Sequence, residues 1–289
     1  IFYAAEQRSA TEIEMAAGLI YNLVNESGVF ISDDREGIYY ENGGMLQAAY
    51  DFWRPNKYGI KPYLCNDGKK HPVAIICPGG AYSMVCSFVE GMPIAKALNK
   101  RGYHAVVAYY RTKKKARFPN PHEDLKRAIT DTFSHAENWN LETDGWSLWG
   151  SSAGGHLAAS FCTQAEDRFK LSALILSYPV ITLGEFTHED SKRNLLGDKP
   201  DVSIINRLSV EKQINSTFPP TFVWYGTADN VADPINSRML ESALKTAGVP
   251  YEAEVYDGIG HGVGLAAGTD ASKWFEDAVD FWEKQRTEK

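Results

Sequence analysis

The stretch WSLWGSSAGGHLAAS, residues 146–160, joins an apolar run to a small-residue run through two serines set among glycines at 150, 154 and 155. The run 146–150 reads as a short buried strand, and 153–165 as a helix. Between them Gly150-Ser151-Ser152-Ala153-Gly154 fits the pattern G-x-S-x-G. A side chain at the tip of so sharp a turn needs residues without bulk two positions away on either side. Ser152 sits symmetrically between Gly150 and Gly154, and Ser151 does not. Ser152 is therefore the candidate nucleophile, its hydroxyl raised above the end of the strand and facing the first N–H groups of the helix.

Working outward, the same alternation repeats. Strands are predicted at 73–77, 104–110, 172–177, 221–226 and 251–256, with helices at 88–100, 121–139, 234–247 and about 270–285. Apolar strands without polar alternation are buried on both faces, and strands that alternate with helices imply right-handed crossovers in a parallel sheet. The expected architecture is α/β, a mostly parallel central sheet with helices on both faces. Ligands of such sheets bind at the carboxyl ends of the strands, which directs attention to the loops after residues 77, 150, 226 and 256.

A serine hydroxyl needs a base within hydrogen-bond reach. His261, in Asp257-Gly-Ile-Gly-His-Gly262, follows the strand 251–256 and is the candidate. His156 lies four residues past Ser152 on a helix with no orienting carboxylate and reads as structural. His71, His104, His122, His135 and His188 have no comparable setting. The base needs a carboxylate to hold its tautomer. Asp229 stands three residues past the strand 221–226. Asp233, just before Pro234, reads instead as a helix cap, and Asp257 is the weaker competitor. Pro78-Gly79-Gly80-Ala81-Tyr82 follows the strand 73–77, so the amide of Gly80 or Ala81, with that of Ala153, is the candidate oxyanion hole. Tyr82 is a candidate for lining the pocket, with packing as the equal alternative.

The chain order Ser152, Asp229, His261 is the nucleophile–acid–base order of α/β-hydrolases. The sequence resembles the esterase/lipase group of that superfamily, in particular small bacterial esterases linked to acetylated or feruloylated xylan. The matching pieces are CPGGAYSMV at 77–85, FPNPHEDLKRAI at 118–129, GSSAGGHLAA at 150–159, PPTFVWYGTADNVAD at 219–233 and GIGHGVGLA at 258–266. The resemblance spans roughly residues 55–286. It implies an α/β-hydrolase fold and a serine carboxylic-ester hydrolase working through an acyl-enzyme without cofactor or metal. The oxyanion loop departs from the HGGG form, with Pro78 for His and Ala81 for the last Gly. An Ala there predicts an ordinary, negative φ.

Composition narrows the remaining classes. The 289 residues are 44% hydrophobic with a net charge of −7. Polyanion binding needs clustered Lys and Arg, and the one basic run, Lys113-Lys114-Lys115, reads as a solvated loop, so no nucleic-acid partner is expected. Four cysteines in no zinc spacing read as reduced thiols, three of them in apolar surroundings. No run of 18 apolar residues occurs, so no membrane partner is expected. The expectation is a soluble protein, cytoplasmic unless a leader has been removed.

The chain reads as a single domain, 1–289, with an N-terminal helical extension at about 1–35, including a helix over 8–25, and a cap-like insertion at about 182–218. The insertion carries Glu185, His188, Glu189, Asp190, Lys192 and Arg193. A lipase lid would be broadly apolar, so a charged cap points to a short-acyl ester of a polar alcohol, a small molecule or an oligosaccharide. The alternatives are an aryl-formamidase-like hydrolase, a prolyl-oligopeptidase-type peptidase and a non-catalytic binder of the same fold.

Overall fold

The computed structural model describes residues 58–164 and 171–287, together with a two-residue strand at 31–32. The expected N-terminal helix and extension lie outside the described residues. Among the described residues eight strands form one sheet: β1 (Ile31–Ser32), β2 (Gly59–Tyr63), β3 (His71–Cys77), β4 (His104–Tyr109), β5 (Leu141–Ser151), β6 (Ala173–Ser177), β7 (Thr221–Gly226) and β8 (Tyr251–Tyr256). Their spatial order is β1-β2-β4-β3-β5-β6-β7-β8. The first two pairings are antiparallel and all others parallel. Strand order reverses at β3, whose neighbours are β4 on one side and β5 on the other. The crevice that such a reversal opens at the strand ends lies between the loops that follow β3 and β5.

The helices are α1 (Ser87–Glu90), α2 (Met92–Lys100), α3 (Asn120–Ser134), α4 (Ser152–Gln164), α5 (Glu189–Leu196), α6 (Val202–Leu208), α7 (Ile235–Ala247) and α8 (Trp274–Thr287). The period-2 geometry of the strands divides their side chains between two buried layers. Val73, Ile75, Val106, Leu148, Leu174, Leu176 and Val223 face α3, α4 and α7. Ala74, Ile76, Val107, Trp149, Ile175, Phe222 and Trp224 face α2 and α8. Both faces are thus closed, which is why these strands read as continuous apolar runs.

Three boundaries differ from the sequence expectation. The helix expected over 88–100 breaks into α1 and α2 at Gly91, where Pro93 in the first turn of α2 has no N–H to continue the earlier helix. The helix expected to reach 139 stops at Ser134. There Ser134 Oγ and His135 Nδ1–H both bond the Asp131 carbonyl that a further turn would need. Strand β5 starts at Leu141, five residues before the expected strand. Its pairing with β3 shifts register across a bulge, and Gly145 there has φ 74°. Asp144 and Gly145 are accommodated inside the strand.

The segment 182–218 carries α5, α6 and a short 3₁₀ turn (Val210–Lys212). Asn236, at the start of α7, ties down its base: its Oδ1 accepts the Ile181 and Thr182 amides, and its Nδ2 donates to Phe186 O. Lys113, Lys114 and Lys115 are exposed, as expected of a solvated run. Among the described residues no helix is long and apolar enough to cross a membrane.

Candidate active site

The turn between β5 and α4 has no room for a side chain at Gly150 or Gly154. A Cβ on Gly154 would stand 2.1 Å from Cys77 O and 2.4 Å from Pro78 O, and one on Gly150 would stand 2.6 Å from Gly154 O. These contacts let α4 begin directly over the ends of β3 and β5. Ser152 is the first residue of α4 and has φ 53°. Left-handed backbone at a residue with a Cβ costs roughly 1–3 kcal/mol and persists only where surrounding structure enforces it. Ser151, by contrast, is the last residue of β5 and has no left-handed backbone.

The loop after β8 brings the base across. A Cβ on Gly226, at the end of β7, would stand 2.0 Å from Ile259 O, and the Ala228 amide donates to that same carbonyl at 3.1 Å. The loop therefore folds back over the end of β7 and carries His261 toward β5. His261 Nε2 lies 2.7 Å from Ser152 Oγ, and Nδ1 lies 2.7 Å from Asp229 Oδ2. Because the carboxylate can only accept, Nδ1 carries the proton, and the Nε2 lone pair faces the serine O–H. Asp229 is itself fixed: its Oδ1 accepts the amides of Val231 and Ala232 at 2.9 and 3.0 Å. The other two aspartates are exposed and engaged elsewhere. Asp233 Oδ1 accepts the Ile235 amide at the head of α7, and Asp257 accepts from Thr227 Oγ1.

In the loop after β3, the Gly79 amide donates to Glu90 Oε2 at 2.7 Å, which leaves Gly80 and Ala81 as the candidate donors. Gly80 has φ 124°, Ala81 φ 55° and Tyr82 φ 56°. The expectation of an ordinary φ at Ala81 is corrected: the loop holds two successive side-chain-bearing residues in the left-handed region. Asn194 Nδ2, from α5, donates to Ala81 O at 2.8 Å and helps to hold it there. Tyr82 is corrected as well. Its ring is fully buried against Tyr110 and His156, so it packs beneath the loop and lines no open pocket.

His156 is buried, apart from Ser152 and Asp229 in its bonding. Its Nε2–H donates to Leu208 O at 2.9 Å, so Nδ1 accepts from Tyr82 O–H at 2.7 Å. Burial pushes its pKa down to about 4, and this neutral tautomer is the one the two bonds require. His188, in the insertion, stands within electrostatic range of His261 and Asp229, and burial lowers its pKa as well.

Three neighbours of the site were not found from sequence. Glu90 is buried. Desolvation raises its pKa, opposed by His261 and by the bonds from Gly79 N–H and Tyr178 O–H. Tyr178 follows β6, packs edge-on against His261 with ring centroids 4.8 Å apart, and has φ 37°. The strand-end rule, applied to β6 as well, would have found it. Glu90 is the one charged residue in the stretch Ser87–Ala95, a signal of burial that does not say what it touches, and Asn194 lies in a polar stretch that gives no sign of its partner.

The chain is similar to known proteins over most of the described residues. The family described as BD-FAE matches residues 63–244. Among curated proteins, endo-1,4-beta-xylanase B of Butyrivibrio fibrisolvens is 34% identical over 83% of this chain and 39% of its own length. The acetylxylan esterase of Xylanibacter ruminicola is 29% identical over 81% of this chain and 50% of its own. The chain thus spans half or less of the length of these relatives. Among solved structures, an acetyl ester-xyloside bifunctional hydrolase from Caldicellulosiruptor lactoaceticus superposes with a TM-score of 0.76. It is 30% identical over 89% of this chain and 96% of that one.

Proposed function

The chain belongs to the BD-FAE family, and from that premise we propose that it is a serine carboxylic-ester hydrolase working through an acyl-enzyme. The observation that carries the reading is the pair of 2.7 Å bonds linking Ser152, His261 and Asp229 from three separate strand ends. Ser152 Oγ attacks the ester carbonyl while His261 Nε2 takes its proton. Asp229 holds Nδ1–H and stabilises the imidazolium that forms. The amides of Gly80 or Ala81 and of Ala153 receive the oxyanion. The tetrahedral intermediate collapses, His261 protonates the departing alcohol, and a water activated by the same nitrogen releases the acid. The residues in these roles need no metal or cofactor.

The segment 182–218 acts as a short cap on the site, tied to the oxyanion loop through Asn194. Its first helix begins with Glu189 and Asp190 and carries Arg193 in its last turn, a charged surface suited to a polar alcohol. The substrate class is therefore short-acyl, acetyl-type esters of plant polysaccharide or other polar alcohols. The relatives named for xylan and acetylxylan support this class.

The test is burst release of p-nitrophenol from p-nitrophenyl acetate, followed by a panel of acetylated xylan, feruloyl esters and N-formylkynurenine. Turnover that vanishes in Ser152→Ala, with acetylated xylan the best of the panel, is the expected result. Undiminished turnover in Ser152→Ala would overturn the mechanism. Preference for N-formylkynurenine would overturn the substrate class.

A further inference from the structure

A tetrahedral intermediate is held from two sides, by amides of the loop after β3 and by His261 in the loop after β8. The two loops lie 180 residues apart in sequence, yet their spacing must be set to a fraction of an ångström for both to serve one reacting centre. A continuous chain of buried contacts runs between them. Gly79 N–H donates to Glu90 Oε2 at 2.7 Å, Tyr178 O–H donates to Glu90 Oε1 at 3.0 Å, and Gly264 N–H donates to Tyr178 Oη at 3.1 Å. The Tyr178 ring also packs on the His261 ring.

We propose that Glu90 and Tyr178 are positioning residues that form one buttress, locking the oxyanion loop to the loop of the base. The inference rests on the serine-hydrolase reading above.

Three observations support it. Glu90 is 4% exposed, and a buried carboxylate is costly unless its oxygens are satisfied. Each of its oxygens has one donor, and the two donors come from different loops. A packing role alone would be served as well by an apolar side chain of the same size. Second, the position is crowded against the nucleophile. A Cβ on Gly79 would stand 2.7 Å from Ser152 Cβ and 2.8 Å from Glu90 Oε2. Glu90 thus bonds the stretch of backbone that passes beside Ser152. Third, Tyr178 keeps a left-handed backbone while its amide donates to Trp224 O at 2.7 Å. That conformation places the hydroxyl between Glu90 and Gly264.

The test uses Glu90→Gln, Tyr178→Phe and the double variant. Rates on p-nitrophenyl acetate are normalised to sites labelled by a fluorophosphonate. Each single variant is expected to lose about tenfold or more in kcat with KM within about twofold. The double variant falls little below the worse single, because both changes cut the same chain. Hydrogen exchange of segments 78–86 and 258–266 provides a readout without catalysis, and both segments speed up together in either variant. Wild-type kcat in the variants, independent multiplying losses, or faster exchange confined to the substituted side would overturn the buttress. If Glu90→Gln does not fold, Tyr178→Phe alone decides, since its ring and packing remain. A wild-type protein that neither turns over ester nor takes the label would sink the hydrolase reading, while the exchange measurement still judges the buttress.

Discussion

Asp229 commits one carboxylate oxygen to two backbone amides and the other to His261, so the imidazole meets a rigid acceptor. An asparagine in its place still satisfies the amides but can present N–H to Nδ1 and select the wrong tautomer. Asp229→Asn is expected to lower kcat about 10³- to 10⁴-fold on p-nitrophenyl acetate while the protein keeps its melting temperature within a few degrees. A second consequence at this scale concerns acid. Burial pushes His156 to about 4 and His122 to about 3, against 6.5 for a free histidine. Above pH 6.5 both the folded and the unfolded chain hold these rings neutral. Below it the unfolded chain takes up protons that the folded chain refuses, so stability falls as pH drops from 6.5 toward 4, by roughly 1.4 kcal/mol per pH unit for each ring. Melting temperatures measured across that window should fall steadily, and His156→Gln should make the slope shallower.

At the scale of elements, helix α5 matters through its far end. Arg117 donates to the carbonyls of Arg193 and Asn194, and Phe118 N–H donates to Leu195 O, which fixes the helix in place. Asn194 then reaches the carbonyl of Ala81. Truncating that amide frees one side of a strained loop without opening the core. Asn194→Ala is expected to lower kcat about threefold to tenfold with a melting temperature close to wild type, as steady-state kinetics and calorimetry would show. Element type and order were legible because the strands are apolar throughout and the helices periodic. Ends were less so: the stop at Ser134 depends on side chains bonding Asp131 O, and the early start of β5 on a bulge at Gly145. Neither has a local signature that distinguishes it from a continuing helix or a loop.

Across the whole molecule, the two buried layers are unequal in kind. The layer under α2 and α8 is aromatic: Trp224 stacks on Trp274 at 5.1 Å, and Trp149 touches Trp274, Phe275 and Trp282. Trp224 also donates its indole N–H to Ser177 Oγ. It stands on β7, the strand that leads to Asp229, and beneath Tyr178. Trp224→Ala should therefore cost about 3–5 kcal/mol in denaturant unfolding. It should also weaken activity more than its distance from Ser152 suggests, because the cavity undermines both the acid loop and Tyr178. Equal loss of stability with wild-type kcat would separate the layer from the site.

By itself the sequence determined the alternating strands and helices, the glycines without which the turn at Ser152 cannot close, and the choice of Ser152, His261 and Asp229 at the ends of their strands. Those features are local: each follows from hydrophobic period, from the absence of a Cβ, or from a position just past a strand. Only the tertiary structure decided which groups surround them. It put Tyr82 into the core, placed Ala81 in a left-handed conformation held by a helix more than a hundred residues away, and drew Glu90 and Tyr178 between the loops that follow β3 and β8. A buried carboxylate and a strained backbone are stable only because distant parts of the chain supply their bonds, and such bonds leave no pattern along the chain to be read.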